Sequence, residues 1–279
     1  MGHHSAGTAS PCLRMKSPER ALEEITLLRN RFRRRYLGWV DPCFNAHPEV
    51  PRKLAELMLL RGVAMGQSAW VRADHLRRDM QSGALDASIR SGLNEMYIGI
   101  ERPANTDLCS LHKDADAEQI SDTVRELGER YPGVSTVGSF IYGINGDSPE
   151  MMRAFVKAAF SIPLDLYFFI PLTPLPGTPY WNPNMWDGTG QQARRLNFLP
   201  GSSTELTAPV ARALLSAVAF YWPAVRVRNT FKSLFVSDRR RRSVARRHLL
   251  RAMGFVVRAA LTGTNPLQSG MRIPAWYEG

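Results

Sequence analysis

Two hydrophobic rhythms alternate along the chain, one with helical spacing and one of short apolar runs. Leu22, Ile25, Leu28 and Phe32 fall at helical spacing behind Ser17-Pro18-Glu19. In that opening Ser can cap, Pro suits the first helical position and Glu complements the helix dipole. Tyr36 to Val40 is a short apolar run ending at Asp41, and Pro48-Glu49 opens a second helix through Leu54, Leu57 and Leu60 to a stop at Arg61-Gly62. The passage then recurs. Ser68 to Ala73 reads as a strand ending at Asp74, followed by a helix through Gly92 and a strand from Met96 to Ile100 ending at Glu101. Asp116 to Tyr131 is helical, Val134 to Tyr142 is a strand, Ser148-Pro149-Glu150 repeats the earlier helix opening, and Leu164 to Pro171 is a strand.

Five strands at roughly 30-residue intervals, with helices between them, predict βα units around parallel strands. Because a helix comes first, the pattern fits an α/β barrel whose first strand is missing; an open doubly wound sheet is the alternative. Both place ligands at the carboxyl ends of the strands. Asp41, Arg72, Asp74, Glu101 and the Gly138 to Gly146 stretch fall at those ends. After Trp181 the chain is dominated by Pro, Gly, Asn and Ser up to Ser203, which reads as a loop. Helices resume at Ala208 to Ala224 and at Ser243 to Leu261. The expected organisation is a barrel over 1–181, a linking loop over 182–207 and a basic helical extension over 208–279.

Of the 279 residues, 44% are hydrophobic and 22% charged, which excludes wholesale disorder and a disulfide miniprotein. Cys12, Cys43 and Cys109 form no disulfide framework and suit a reducing compartment. The apolar runs are too short to span a bilayer and no signal peptide opens the chain, so a cytoplasmic protein is expected. The net charge of +11 is concentrated: between Arg226 and Arg258, eleven Lys or Arg face one acid, Asp238, giving +10. The Arg239 to Arg242 run lacks interleaved aromatics, which argues against nucleic acid as the partner. The Arg239–Arg258 segment reads either as a solvated helix docked on the barrel or as a contact for an anionic membrane surface or acidic partner. No Walker loop, GxSxG elbow or dinucleotide-binding GxGxxG is present, and His3 and His4 lack a third ligand for a metal.

Gly138-Ser-Phe-Ile-Tyr-Gly-Ile-Asn-Gly146, then Asp147-Ser148-Pro149-Glu150, then Pro171-Leu-Thr-Pro-Leu-Pro-Gly-Thr-Pro-Tyr180 carry a resemblance, as do Arg14 to Glu24, Trp39 to Phe44 and Ile98 to Glu101. In this order the segments resemble the radical S-adenosylmethionine (SAM) superfamily, in the branch that often carries a cobalamin-binding domain. The resemblance implies a partial (β/α)6 TIM-like barrel in which a C-x3-C-x2-C loop binds a 4Fe-4S cluster. SAM sits on that cluster, and its reductive cleavage generates a radical that abstracts hydrogen from a small-molecule substrate. A reductant protein is an implied partner and cobalamin a further implied cofactor. The sequence contains no C-x3-C-x2-C, so the chain is expected to be an N-terminally truncated core, inactive as given. The alternative is a naturally degenerate, non-catalytic SAM-binding or scaffold barrel.

By the same resemblance Gly138, Ile141 and Gly143 pack the adenine and Glu101 contacts the nucleoside or methionine part of SAM. Physically, glycines let backbone approach a flat ligand and a carboxylate accepts from hydroxyls or an ammonium. A tight strand-end turn and a surface ion pair with Arg102 are the competing readings. Arg72 either forks onto the methionine carboxylate or is neutralised by Asp74, and Asp41 either faces the cavity or caps the turn before Pro42. Thr173, Pro176, Gly177 and Tyr180 lie on a stiff loop expected either to border the substrate or simply to leave the strand. Cys43 reads as a small apolar filler rather than a nucleophile.

Overall fold

A computed structural model describes residues 15–103, 117–143, 147–172 and 208–235. In chain order these form α1 (Pro18–Asn30), β1 (Tyr36–Gly38), α2 (Glu49–Leu60), β2 (Gly66–Arg72), α3 (Ala73–Gln81), α4 (Ala84–Ser91) and β3 (Leu93–Glu101). There follow α5 (Ala117–Arg130), β4 (Ser135–Tyr142), α6 (Pro149–Ser161), β5 (Leu166–Pro171) and α7 (Ala208–Phe235). The strands form one sheet in the order β1-β2-β3-β4-β5, every pair parallel. The sheet is α/β and open, consistent with a partial TIM-like barrel.

The two helix openings behave alike. Ser17 Oγ accepts from the Arg20 N–H and Ser148 Oγ from the Met151 N–H, each at 3.2 Å with Pro in the first turn. Both caps satisfy an N–H that the helix itself leaves without a partner. The helix expected from Asp74 through Gly92 is two helices: the chain breaks after Gln81, where Gly83 takes φ +76°. The final helix runs through Pro223 and past Ala224 to Phe235. Its Val210, Ala213, Leu214 and Val225 are buried, and its Tyr221 ring stacks 5.5 Å from Phe160 of α6.

The register separates two faces of the sheet, because paired residues of parallel strands share a face. Ala69 pairs with Met96, Val71 with Ile98, and Phe140 with Phe169. These residues, with Leu76, Met80, Val124, Leu127 and Val156 from the helices, make the main core. A smaller core joins Ile25, Leu54 and Met58 beneath Leu37 of β1. The described helices therefore cover one face, and the other carries Ser68, Trp70, Arg72, Glu95, Tyr97, Ser139 and Phe168.

Gly92 shows how tightly the helical layer meets the sheet. At φ +121° it leads α4 into β3, and a Cβ there would lie 1.7 Å from the Met65 carbonyl oxygen. Gly92→Ala is expected to cost about 3 kcal/mol or more, from strain and backbone clash together. Gly128→Ala in α5, where a Cβ meets nothing within 4 Å, is expected to stabilise by about 0.5–1 kcal/mol. Urea unfolding of the two variants checks both signs.

Candidate functional site

The carboxyl end of β2 is organised by a side chain buried in the loop after β1. Trp39 N–H donates to the Ser68 carbonyl at 2.9 Å and Phe44 N–H to that of Trp70 at 2.8 Å, so the loop continues alongside β2. This brings in Asn45, which is 5% exposed. Its Oδ1 accepts from Arg72 N–H at 2.9 Å, and its Nδ2 donates to the Arg72 carbonyl at 3.3 Å and to Asp79 Oδ2 at 2.9 Å. Its own carbonyl accepts from Arg78 Nη2 at 2.6 Å, with His75 Nδ1 at 3.0 Å. Burial pushes the Asp79 carboxyl above its ordinary range, and the hydrogen bonds from Asn45 and Arg78 oppose that shift. Arg72 itself forks onto Asp74 in the first turn of α3, Nε to Oδ1 at 2.9 Å and Nη2 to Oδ2.

β3 ends in a strained turn. Glu101 has φ +68°, and across it the Arg102 N–H donates to the Ile100 carbonyl at 2.9 Å. A three-residue turn with left-handed φ is an uncommon backbone state that persists only where its surroundings fix it. Arg102 supplies the fixing: it is 2% exposed, and its Nη2 lies 2.6 Å from Asp147 Oδ1, itself 4% exposed at the side chain. Asp147 Oδ2 accepts from the Gly143 N–H at 2.9 Å, Arg102 Nη1 reaches the Ile141 carbonyl at 3.4 Å, and its guanidinium lies 4.7 Å from the Phe155 ring centre. One buried ion pair thus ties the end of β3 to the turn after β4, where Gly143 takes φ +79°, and to α6.

The sequence candidates divide on this geometry. Arg72, Glu101, Ile141 and Gly143 come to the ends of three adjacent strands. Asp74 lies beside Arg72 and neutralises it. Gly138 stands on the opposite, helix-covered face: a Cβ there would lie 2.4 Å from Leu164 Cδ1 and 2.8 Å from Phe140 Cε2, so packing requires its missing side chain. Asp41 is exposed on the loop beyond β1. Thr173, Pro176, Gly177 and Tyr180 lie outside the described residues, as do Cys12 and Cys109. Asn45, Arg102 and Asp147 were not singled out as site residues. A charged residue directly behind the apolar β3 was the signal for Arg102, but its partner stands 45 residues on.

No family model matches the chain. An uncharacterized methyltransferase of Pyrococcus horikoshii is 24% identical over 165 residues, covering 59% of this chain and 35% of that protein. The chain therefore spans about a third of the length of the curated relative it matches. Among solved structures, the radical S-adenosylmethionine methyltransferase TsrM of Kitasatospora setae, with cobalamin and a 4Fe-4S cluster bound, aligns with a TM-score of 0.50 at 18% identity. That match covers 59% of this chain and 33% of TsrM. Escherichia coli HemN, a coproporphyrinogen III oxidase and radical SAM enzyme, aligns with a TM-score of 0.50 at 18% identity, over 74% of this chain and 45% of HemN. The chain shares the fold of these two radical SAM enzymes. In that fold the strand ends fixed by Asn45 and by Arg102–Asp147 are the rim of the sheet, the position at which barrels of this architecture bind ligands.

Removing one partner of a buried ion pair is strongly destabilising, so Arg102→Met alone is expected to cost about 3–5 kcal/mol. Arg102→Met with Asp147→Leu is expected to recover most of that loss. A double-mutant cycle read by urea unfolding checks it, and additive losses would show that the pair does not act as a unit.

Proposed function

We propose that this chain is the barrel of a radical SAM enzyme acting on a small molecule, and that the ends of β2, β3 and β4 hold SAM. The observation that carries the reading is the Glu101 turn, a non-glycine residue in the left-handed region at a strand end, held there by a buried ion pair. Strain of this kind gathers at ligand sites. A carboxylate at that place accepts from an ammonium or from ribose hydroxyls, and Ile141, inward-facing in register with Ile170, offers an apolar surface to a flat base. Recognition of the methionine part is assigned to Glu101 for its place in that turn; the Arg72 side chain forks onto Asp74.

The cluster that radical SAM enzymes use needs three thiolates close together. Cys12, Cys43 and Cys109 stand far apart in the sequence, and Cys43 Sγ contacts Asn45 Oδ1 at 3.5 Å in the loop after β1. Among the described residues no group of three His, Cys, Asp or Glu side chains can hold a metal ion. The described residues do not fit a 4Fe-4S cluster, and no chemical step is assigned through one. This donor set favours a second reading, a barrel that binds SAM without cleaving it.

Equilibrium dialysis with labelled SAM tests the common ground of both readings. Saturable binding is expected, weakened about tenfold or more by Glu101→Gln, the loss of a hydrogen bond to a charged group, and unchanged by Arg125→Ala on the exposed face of α5. Absence of binding would overturn both. After anaerobic treatment with iron and sulfide the chain is expected to take up no stoichiometric cluster. Four irons per chain, with 5′-deoxyadenosine formed on adding dithionite, would instead make it catalytic by itself.

A further inference from the structure

The face of the sheet on which no described helix lies differs in kind from a packed barrel interior. Layers of branched aliphatic side chains fill the interior of closed barrels. Here the row at the level of Trp70 continues with Tyr97, Val137 and Leu166 on successive strands, and the row above it with Arg72, Gly99, Ser139 and Phe168. Three rings stand in these rows. Trp70 stacks on Tyr97 with centroids 4.8 Å apart at 29°, and Tyr97 meets Phe168 at 6.1 Å and 43°.

The second distance reveals the shape of the surface. β3 and β5 are two strand spacings apart, about 9.6 Å, with β4 between them. For its ring to come within 6.1 Å of Tyr97, Phe168 leans across β4 and roofs its short side chains, which accounts for Val137 and Ser139 being 0% and 5% exposed. The result is a continuous aromatic layer from β2 to β5. Its underside is set by hydrogen bonds: Glu95 accepts from Tyr97 Oη at 2.7 Å and from Tyr36 Oη at 2.9 Å, which fixes the tilt of the central ring. Its upper side is reachable, since Phe168 is 42% exposed and Trp70 and Tyr97 are half-buried, whereas Met96, Ile98 and Phe140 on the helix-covered face are 0% exposed.

Rings so arranged are not closed on themselves. The Tyr97–Phe168 gap is too narrow to admit another ring, so a ligand lies on the layer rather than within it. We propose that this layer is a stacking platform for a flat, conjugated ligand of at least two fused rings, laid across Trp70, Tyr97 and Phe168. A π-face offers such a ligand offset stacking, which a saturated molecule of the same size and polarity cannot match. The platform names the substrate class for the function proposed above and rests on that reading only in calling the ligand a substrate.

A matched pair of probes tests it. Calorimetric titration of the chain with 2-naphthol and with decahydro-2-naphthol, which share a hydroxyl and differ in aromaticity, is expected to favour 2-naphthol about tenfold or more. Phe168→Ala, at a site exposed enough to spare the fold, is expected to weaken 2-naphthol at least about fivefold, and Trp70→Leu likewise. Phe220→Ala on the exposed face of α7 is expected to change nothing, and circular dichroism confirms that each variant is folded. Equal affinity for the two probes, binding to neither, or binding that both platform variants leave intact would each overturn the proposal. SAM dialysis on the same preparations keeps the two ideas apart: SAM binding without the aromatic preference sinks only the platform, and the preference without SAM binding sinks only the enzyme reading.

Discussion

The site depends on a charge pair taken out of water. Arg102 and Asp147 are 2% and 4% exposed at their side chains, and moving two such groups from water costs several kcal/mol each unless geometry and further hydrogen bonds compensate. Here the compensation is extensive. The guanidinium also reaches the Ile141 carbonyl and lies over Phe155, and the carboxylate also accepts from the Gly143 N–H. Every one of those partners is backbone or core at the end of β4 or in α6. The pair therefore cannot form unless the ends of β3 and β4 are already in register with the helix behind them, and once formed it leaves the Glu101 turn little room to relax.

A similar logic operates one strand away in uncharged form. Asn45 satisfies both main-chain groups of Arg72, and with them Asp79 and the α3 side chains Arg78 and His75. A buried amide with its donors and acceptors spent locally is specific in a way apolar packing is not, because a shift of about 1 Å breaks several hydrogen bonds at once. The rim of the sheet is thus held by polar contacts while the body is held by apolar burial. The division suits a ligand site, which needs fixed backbone where it cannot have a packed core.

Much of this architecture was legible in the chain. The alternation of strands and helices, the two Ser-Pro-Glu openings and the parallel βα pattern all follow from local rules that no tertiary contact overrode. The split between α3 and α4 was not, since a glycine inside a helical pattern costs only about 1 kcal/mol and signals a break weakly. Gly138 was misplaced for a different reason. β4 carries apolar side chains on both faces, such as Val137 and Phe140, so its alternation does not say which face a glycine belongs to; pairing with Ile98 and Tyr167 decides it. Arg72 and Asp74, two residues apart, were readable as a pair, whereas Arg102 and Asp147, in different βα units, were not.

The face without helices poses the deeper constraint. Among the described residues no helix lies on one side of this parallel sheet, whereas parallel sheets are normally buried on both faces. This chain meets the difficulty with rings rather than aliphatics: Phe168 bends over β4, Tyr97 is anchored through Glu95, and Trp70 stacks against it. Rings suit such a place because they cover much surface with few rotatable bonds, so the layer stays ordered while half exposed. Aliphatic side chains would have closed the face by packing against one another and left nothing to recognise. An aromatic layer covers this part of the sheet and presents a π-surface in the same act, so the cover and the proposed recognition rest on the same three rings.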